Sequence, residues 1–273
     1  MLKNQIDLPG VLNSRQIGSF PAGNRRVKDD LLIRTAALNG ADGDAVRTLS
    51  ERYRVQKVID FRMKGESMVC PDPVIPGAEH ISIPVVEVED YVGRLGNPEL
   101  AKKYLSQSLG RDEMIDIAYE YGLIGPEMYT AFMLADRGIR AYRGFFDILL
   151  GSDPADGAIL WHCSDGKDRA GMASVLLLTA LGASIDTVYE DFLLTNEYNA
   201  KAIEMVRDKY SSTGIPEDKL DVLIFSAGGV IEKYLTNVLH KIDARYGGIT
   251  GYLKDALGLR EQDFDTLREK YTE

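Results

Sequence analysis

The chain has 273 residues, 45% of them hydrophobic and 27% charged, which is enough apolar material to bury a sizeable core and too little net polarity for wholesale disorder. A formal net charge of −10 argues against a general nucleic-acid binder, which carries a basic face, but says little about a locally positive pocket for a small anion. Two cysteines, Cys70 and Cys163, are too few for a disulfide framework and suit a reducing compartment.

The N-terminus lacks the apolar run of a secretion signal, and no apolar stretch approaches a membrane span, so no integral membrane segment is expected. The cytoplasm is the expected location, with export by another route left open. There is no internal repeat. Residues 42–53 are spaced for a helix, with Val46, Leu49 and Tyr53 on one face, and lead into a β-branched strand over 55–61. A proline-rich loop follows, then a short strand over 80–85. From about 97 to 150 the pattern is helical, broken near Gly110 and over 122–126. Asn97-Pro98-Glu99 reads as a helix start: cap, proline in the first turn, then an acid. Residues 88–126 lie between strand signals and are a candidate helical insertion or lid within one domain spanning 1–273. A plain helical layer is the alternative.

Residues 157–161 form an apolar strand, residues 170–181 a helix apolar on nearly all sides and hence buried, ended by Gly182. From 184 to 271 the chain reads as helical, with breaks over 214–216, at Gly228-Gly229 and at Gly247-Gly248. Early strands with surrounding helices indicate an α/β fold with helices flanking a central sheet.

Between the apolar strand and the buried helix lies His162-Cys163-Ser164-Asp165-Gly166-Lys167-Asp168-Arg169. Strand, tight loop and buried helix make a phosphate-binding architecture: loop N–H groups form an anion nest and the helix N-terminus adds partial positive charge. Ser164, Asp165, Gly166 and Lys167 are the expected phosphate-binding residues, Gly166 supplying a positive φ. Arg169 can clamp two phosphate oxygens with its planar fork. The dipoles that hold phosphate also stabilise a thiolate, so Cys163 is the expected nucleophile, attacking phosphorus in line to form a phosphocysteine. A bare Cys-x5-Arg is a weak pattern; His-Cys-x2-Gly-x2-Arg-x-Gly bounded by apolar strand and apolar helix is a strong one.

This loop, continued by Ala170-Gly171, resembles the His-Cys-x-x-Gly-Lys-Asp-Arg-Thr-Gly loop of the PtpB/LipA-type bacterial tyrosine and lipid phosphatases. Asn13 to Ser19, Leu32-Ile33-Arg34-Thr35, Val58 to Arg62 with Glu66, and Tyr246-Gly247-Gly248 with Leu257-Gly258-Leu259 are similar to further motifs of that family, so the likeness spans nearly the whole chain. It implies a protein-tyrosine-phosphatase-like central sheet flanked by helices, often with a helical lid. It also implies activity on phosphotyrosine and in some members on phosphoserine/threonine or phosphoinositides. The expected partner is a phosphoprotein or phosphoinositide substrate.

Two positions depart from the pattern. Ala170 replaces a Thr or Ser whose hydroxyl would steady the cysteine sulfur, and Asp165 brings the formal charge of the loop side chains to zero. Anion binding then rests on N–H groups, the helix dipole and basic residues from elsewhere, with Arg25, Arg26, Lys28, Arg34, Arg62 and Lys64 as candidates. The leaving oxygen needs an acid. Asp168 matches the family's loop aspartate and is preferred; Asp60 is the second candidate. His162 is expected to orient the loop. With only His80 and His240 besides it, no metal-ligand spacing appears, and neither metal nor cofactor is expected. Lys167 is read either as a contact for a second phosphate or as a solvated lysine. Cys70 is read as core filling in preference to a redox partner of Cys163. The competing functions are a phosphate-binding module with weakened catalysis and a sulfurtransferase.

Overall fold

The structure is a computed structural model and describes residues 2–106, 108–210 and 212–273. The strands are β1 (Arg15–Gln16), β2 (Pro21–Ala22), β3 (Arg25–Arg26), β4 (Leu32–Thr35), β5 (Lys57–Asp60), β6 (Glu79–Ser82) and β7 (Ile159–His162). β2 and β3 pair as a separate ribbon, and the other five form one sheet in the order β1-β4-β7-β5-β6, antiparallel at β1–β4 and parallel elsewhere. β7 is therefore central, with neighbours that come from far earlier in the chain. The loop after it lies at the carboxyl end of the parallel strands, where open α/β sheets place their ligands.

Alternation along the strands divides the core. Leu32, Ile59, Phe61, Ile159 and Trp161 face a large helical layer, while Ile33, Val58, Ala158 and Leu160 face a smaller cluster with Ile6, Leu38, Leu49 and Ile75. The large layer draws on α6 (Met128–Leu134), α7 (Asp136–Gly151), α8 (Arg169–Leu181), α9 (Ile185–Tyr198), α12 (Glu232–Tyr246), α13 (Ile249–Asp255) and α14 (Glu261–Tyr271). The smaller face is covered by α1 (Gly43–Arg47), its continuation as one wide turn over Thr48–Arg52, and N-terminal loops. α8 is buried on nearly every side, as its all-round apolar sequence predicts, and Gly182 ends it at φ +95°.

α2 (Lys64–Val69) follows β5. α3 (Val88–Leu95), α4 (Pro98–Leu105) and α5 (Arg111–Glu120) fill most of the stretch read as an insertion. Asn97 caps α4 as expected, its Oδ1 accepting from Glu99 N and Leu100 N at 3.1 Å. Leu95, Ala101, Ile115, Ile117 and Ala118 form a third apolar cluster with Val222 and Leu223 of α11 (Glu217–Ser226), which follows α10 (Ala200–Tyr210). Among the described residues no helix is long and apolar enough to cross a membrane.

Candidate active site

The loop between β7 and α8 is built so that its carbonyls face the scaffold. Ser164 O accepts from Ala37 N (3.0 Å), Asp165 O from Asn13 Nδ2 (3.2 Å) and Gly166 O from Arg34 Nη2 (2.7 Å). Farther on, Asp168 O accepts from Met172 N (2.8 Å) and Arg169 O from the Tyr142 hydroxyl (3.1 Å). The N–H groups of Ser164 to Asp168 donate to no described residue, so they remain for an anion. Gly166 sits at φ +67°, and a Cβ there would come within 2.3 Å of the Thr35 carbonyl oxygen, so no other residue fits. Cys163 lies at the root of this cradle and is 1% exposed.

Beneath the loop runs a buried charge network. Asp191 of α9 accepts from Arg15 Nε (2.9 Å) and Arg34 Nη1 (2.6 Å); Arg15 also bonds Asn13 Oδ1. Burial and the neighbouring Arg15 charge lower Arg34 to about 10, against the pull of Asp191. Arg34 was one of six basic residues expected to help hold the anion. It reaches the loop, but through carbonyl oxygens. Arg25, Arg26 and Lys28 instead meet the C-terminal residues 269–273, and Arg62 is taken by Asp60 and Asp72.

Arg169 is aimed by a residue from α2. Its Nη1 donates to Glu66 Oε2 (2.6 Å) and its Nη2 to Glu66 Oε1 (3.1 Å) and Ser164 Oγ (3.0 Å), while Ser164 Oγ donates to Glu66 Oε1 (2.5 Å). Burial works to raise Glu66, but Arg169 and Ser164 prevail and hold it at about 2. Glu66 entered the sequence reading only as part of a family motif; nothing local signals its contact with a residue 103 positions on.

Asp168 is partly buried and accepts a hydrogen bond from the Tyr129 hydroxyl (2.8 Å). Its pKa is raised to about 6: burial dominates, Asp165 adds to it, and Lys167, Tyr129 and Arg169 oppose it. Asp60, the other acid candidate, sits across the sheet register from His162 and is engaged by Arg62 through Nε (3.0 Å to each oxygen) and Nη2 (2.8 Å). His162 is fully buried, with Nδ1 3.4 Å from Cys163 O and Nε2 3.3 Å from Asp72 Oδ2. Burial would raise Asp72, but His162 and Arg62 hold it below the usual carboxylate range. Asp60, Asp72 and His162 thus bring three metal-ligand atoms within 4.8 Å of one another, a grouping invisible in their spacing. Arg62 already bonds both carboxylates and supplies the positive charge there.

Two readings need correction. Lys167 is not a solvated lysine: it is 2% exposed, its Nζ donates to the Phe225 carbonyl (2.5 Å) and lies 3.7 Å from the centre of the Phe225 ring. Cys70 is not core filling: it is exposed, at the end of α2 where the chain turns into the proline-rich loop. It borders a groove of about 360 Å³ beside the loop, walled by Ala37, Met63, Glu66, Val88 and Ser164. Ala170 is fully buried, and the hydroxyl of Ser174, one turn on, donates to its carbonyl (3.1 Å).

The sequence profile of the tyrosine phosphatase family matches residues 6–273. The chain is 28% identical to a candidate tyrosine-protein phosphatase of Cupriavidus necator, over 98% of this chain and 89% of that one. It is 27% identical to the triple specificity protein phosphatase PtpB of Mycobacterium tuberculosis, over 96% and 97%. A tyrosine-protein phosphatase of Nostoc commune matches at 29% over 41% and 38%.

Proposed function

The chain belongs to the tyrosine phosphatase family, and from that premise we propose that it hydrolyses phosphotyrosine-type monoesters through a phosphocysteine on Cys163. The observation that carries this reading is the loop itself, with its carbonyls bonded outward and its N–H groups left unpaired around Cys163. Phosphate seated there meets the amides, the α8 N-terminus and the Arg169 fork. Cys163 Sγ attacks phosphorus, the P–O ester bond breaks, and the leaving oxygen takes the proton of Asp168. Asp168, raised to about 6, holds that proton at mildly acidic pH and accepts one from water in the second half. Water attacks phosphorus, the P–S bond breaks, and inorganic phosphate leaves with the thiolate restored. Glu66 positions Arg169, and His162 orients the loop through the Cys163 carbonyl. Asp60, saturated by Arg62, serves as a structural partner. The groove beside Ser164 extends the site for the body of the substrate, with residues 88–126 as a lid over it. Phosphoserine/threonine and phosphoinositide substrates belong to the wider form of the proposal, motivated by the relative named for triple specificity.

Ala170 supports a second reading, a phosphate-binding module whose catalysis is too crippled to form or release the intermediate, because no hydroxyl stands there to steady the sulfur. Rapid mixing with nitrophenyl phosphate separates the two. The proposal expects steady turnover preceded by a burst of about one equivalent of phenolate, both abolished in Cys163→Ser. Near-wild-type turnover by Cys163→Ser rules out the covalent route. A wild-type protein with neither burst nor turnover is a binder.

A further inference from the structure

The groove beside Ser164 has two charged residues in its walls, and both are already paired. Arg62 bonds Asp60, Asp72 and the Cys70 carbonyl (2.9 Å), and Glu66 is held by Arg169 and Ser164. The other described residues that line it are uncharged. α2 supplies the apolar part. Met63, Glu66 and Val69 recur every three residues, so they share one side of that helix, and all three line the groove. The side of α2 that sends Glu66 to Arg169 therefore carries an apolar side chain before it and another after it. Val88, at the start of α3, adds a third. Val69 is 81% and Val88 40% exposed, apolar surface that folding leaves uncovered at the edge of the site.

We propose that this groove is a subsite for an apolar side chain next to the phosphotyrosine, so that the protein selects phosphotyrosine peptides with aliphatic neighbours over those with polar or acidic ones. The inference rests on the phosphatase reading for where the phosphate sits, and it names the substrate class of that site. Continuity fixes the occupant: Ser164 belongs both to the loop around Cys163 and to the groove wall, so a peptide held by its phosphate has its neighbouring residue there. An aliphatic side chain gains by covering Met63, Val69 and Val88. A carboxylate gains no ion pair, because Arg62 is taken, and it loses hydration. The net charge of −10 disfavours an anionic bilayer as the occupant.

Binding tests this separately from turnover. The protein carrying Cys163→Ser, in which Cys70 is the one remaining thiol, is titrated calorimetrically with three phosphotyrosine peptides. They carry leucine, glutamine or glutamate on both sides of the phosphotyrosine. The leucine peptide binds more tightly than the glutamine peptide by roughly tenfold, the size expected of one aliphatic side chain leaving water in an open groove, and the glutamate peptide binds no better than the glutamine one. Cys70 is exposed and lines the same groove, so at equal occupancy the leucine peptide slows its alkylation by iodoacetamide more than the glutamine peptide does. Adding Val69→Asp brings the leucine-to-glutamine ratio near one, with circular dichroism confirming the fold. Equal affinity for the leucine and glutamine peptides overturns the proposal, as does tightest binding of the glutamate peptide. So does a leucine preference that Val69→Asp leaves unchanged, or one that leaves Cys70 unprotected. Val69-dependent binding to phosphatidylcholine vesicles in place of a peptide preference overturns it too, and gives the groove to a lipid surface. A wild-type protein that turns over none of the peptides but keeps the ratio loses the hydrolysis reading and retains the subsite; turnover without the ratio does the reverse.

Discussion

Around the Cys163–Arg169 loop, buried charges and polar contacts do the holding: Asp191 between two arginines, Glu66 against Arg169, and loop carbonyls bonded to Asn13, Arg34 and Tyr142. In α3 to α5 the means are different. There a small apolar cluster shared with α11 is flanked by surface contacts such as Lys219–Asp116 (2.9 Å) and Tyr119–Asp218 (3.1 Å). Exposed pairs of that kind contribute little, whereas a buried charge left without its partner is costly. The loop is thus held by contacts that are costly to break, and α3 to α5 by contacts that are less so.

Removing Asp191 breaks the comparison at its stronger side. Arg15 and Arg34 are both fully buried, so Asp191→Ala leaves two cations in the core facing each other. The expected loss of stability is about 3–5 kcal/mol, read from the urea midpoint. A variant within 1 kcal/mol of wild type by that measure would show that the network is incidental to the loop.

Asp168→Asn acts at the same place on function. Turnover of alkyl phosphates and phosphoserine should fall by about 10²-fold or more, with a smaller loss for nitrophenyl phosphate, whose leaving group needs little protonation. Stability should move the other way. A carboxyl whose folded pKa is raised from the usual 3.8 to about 6 costs stability as pH climbs through that window, so the amide should raise Tm at pH 7 while leaving it unchanged at pH 3. Equal losses on both classes of substrate would remove Asp168 from the acid role.

On the looser side, Ile117→Ala in α5 removes a buried side chain from the small cluster. A cost of about 2 kcal/mol is expected, the low end for such truncations, because a thin cluster collapses easily. It should appear as hydrogen exchange faster by roughly thirty-fold in α5, with α8 unchanged. Faster exchange in both would mean that the helices and the loop open as one unit.

What the sequence displayed of this arrangement follows the same division. β5, β7, α8 and the breaks at Gly214, Gly228 and Gly247 were readable because each is a local pattern: a β-branched run, an all-round apolar helix, a glycine. The Cys163 to Arg169 loop was readable for the same reason. The contacts that position it were not. Tyr129 reaches Asp168 across 39 residues, Glu66 reaches Arg169 across 103 and Asp191 reaches Arg34 across 157. No periodicity links such pairs, so Arg34 read as an anion ligand when it is a brace. Cys70 and Lys167 were misplaced because burial at a helix end or in a loop is decided by what packs there, here Phe225 over Lys167 and nothing over Cys70.

The smallest effect is expected at Tyr129. Its hydroxyl donates to Asp168 Oδ1 (2.8 Å), a bond that stabilises the carboxylate and so pulls Asp168 down against the burial that raises it. Tyr129→Phe removes the donor and keeps the ring, which stacks edge-on to Phe192 at 5.9 Å. With that bond gone, burial and Asp165 are opposed by Lys167 and Arg169 alone, and Asp168 should rise further above 6, by less than about one unit for one hydrogen bond of ordinary strength. On the proposed mechanism Asp168 must be protonated for the leaving group to depart, so activity on poor leaving groups should decline as pH rises through the Asp168 value. The alkaline limb of the kcat/KM profile for an alkyl phosphate should therefore move to higher pH in Tyr129→Phe and vanish in Asp168→Asn. A limb that moves down in Tyr129→Phe would mean that the phenol opposes the carboxylate, and one that stays put in both variants would mean that another group sets it.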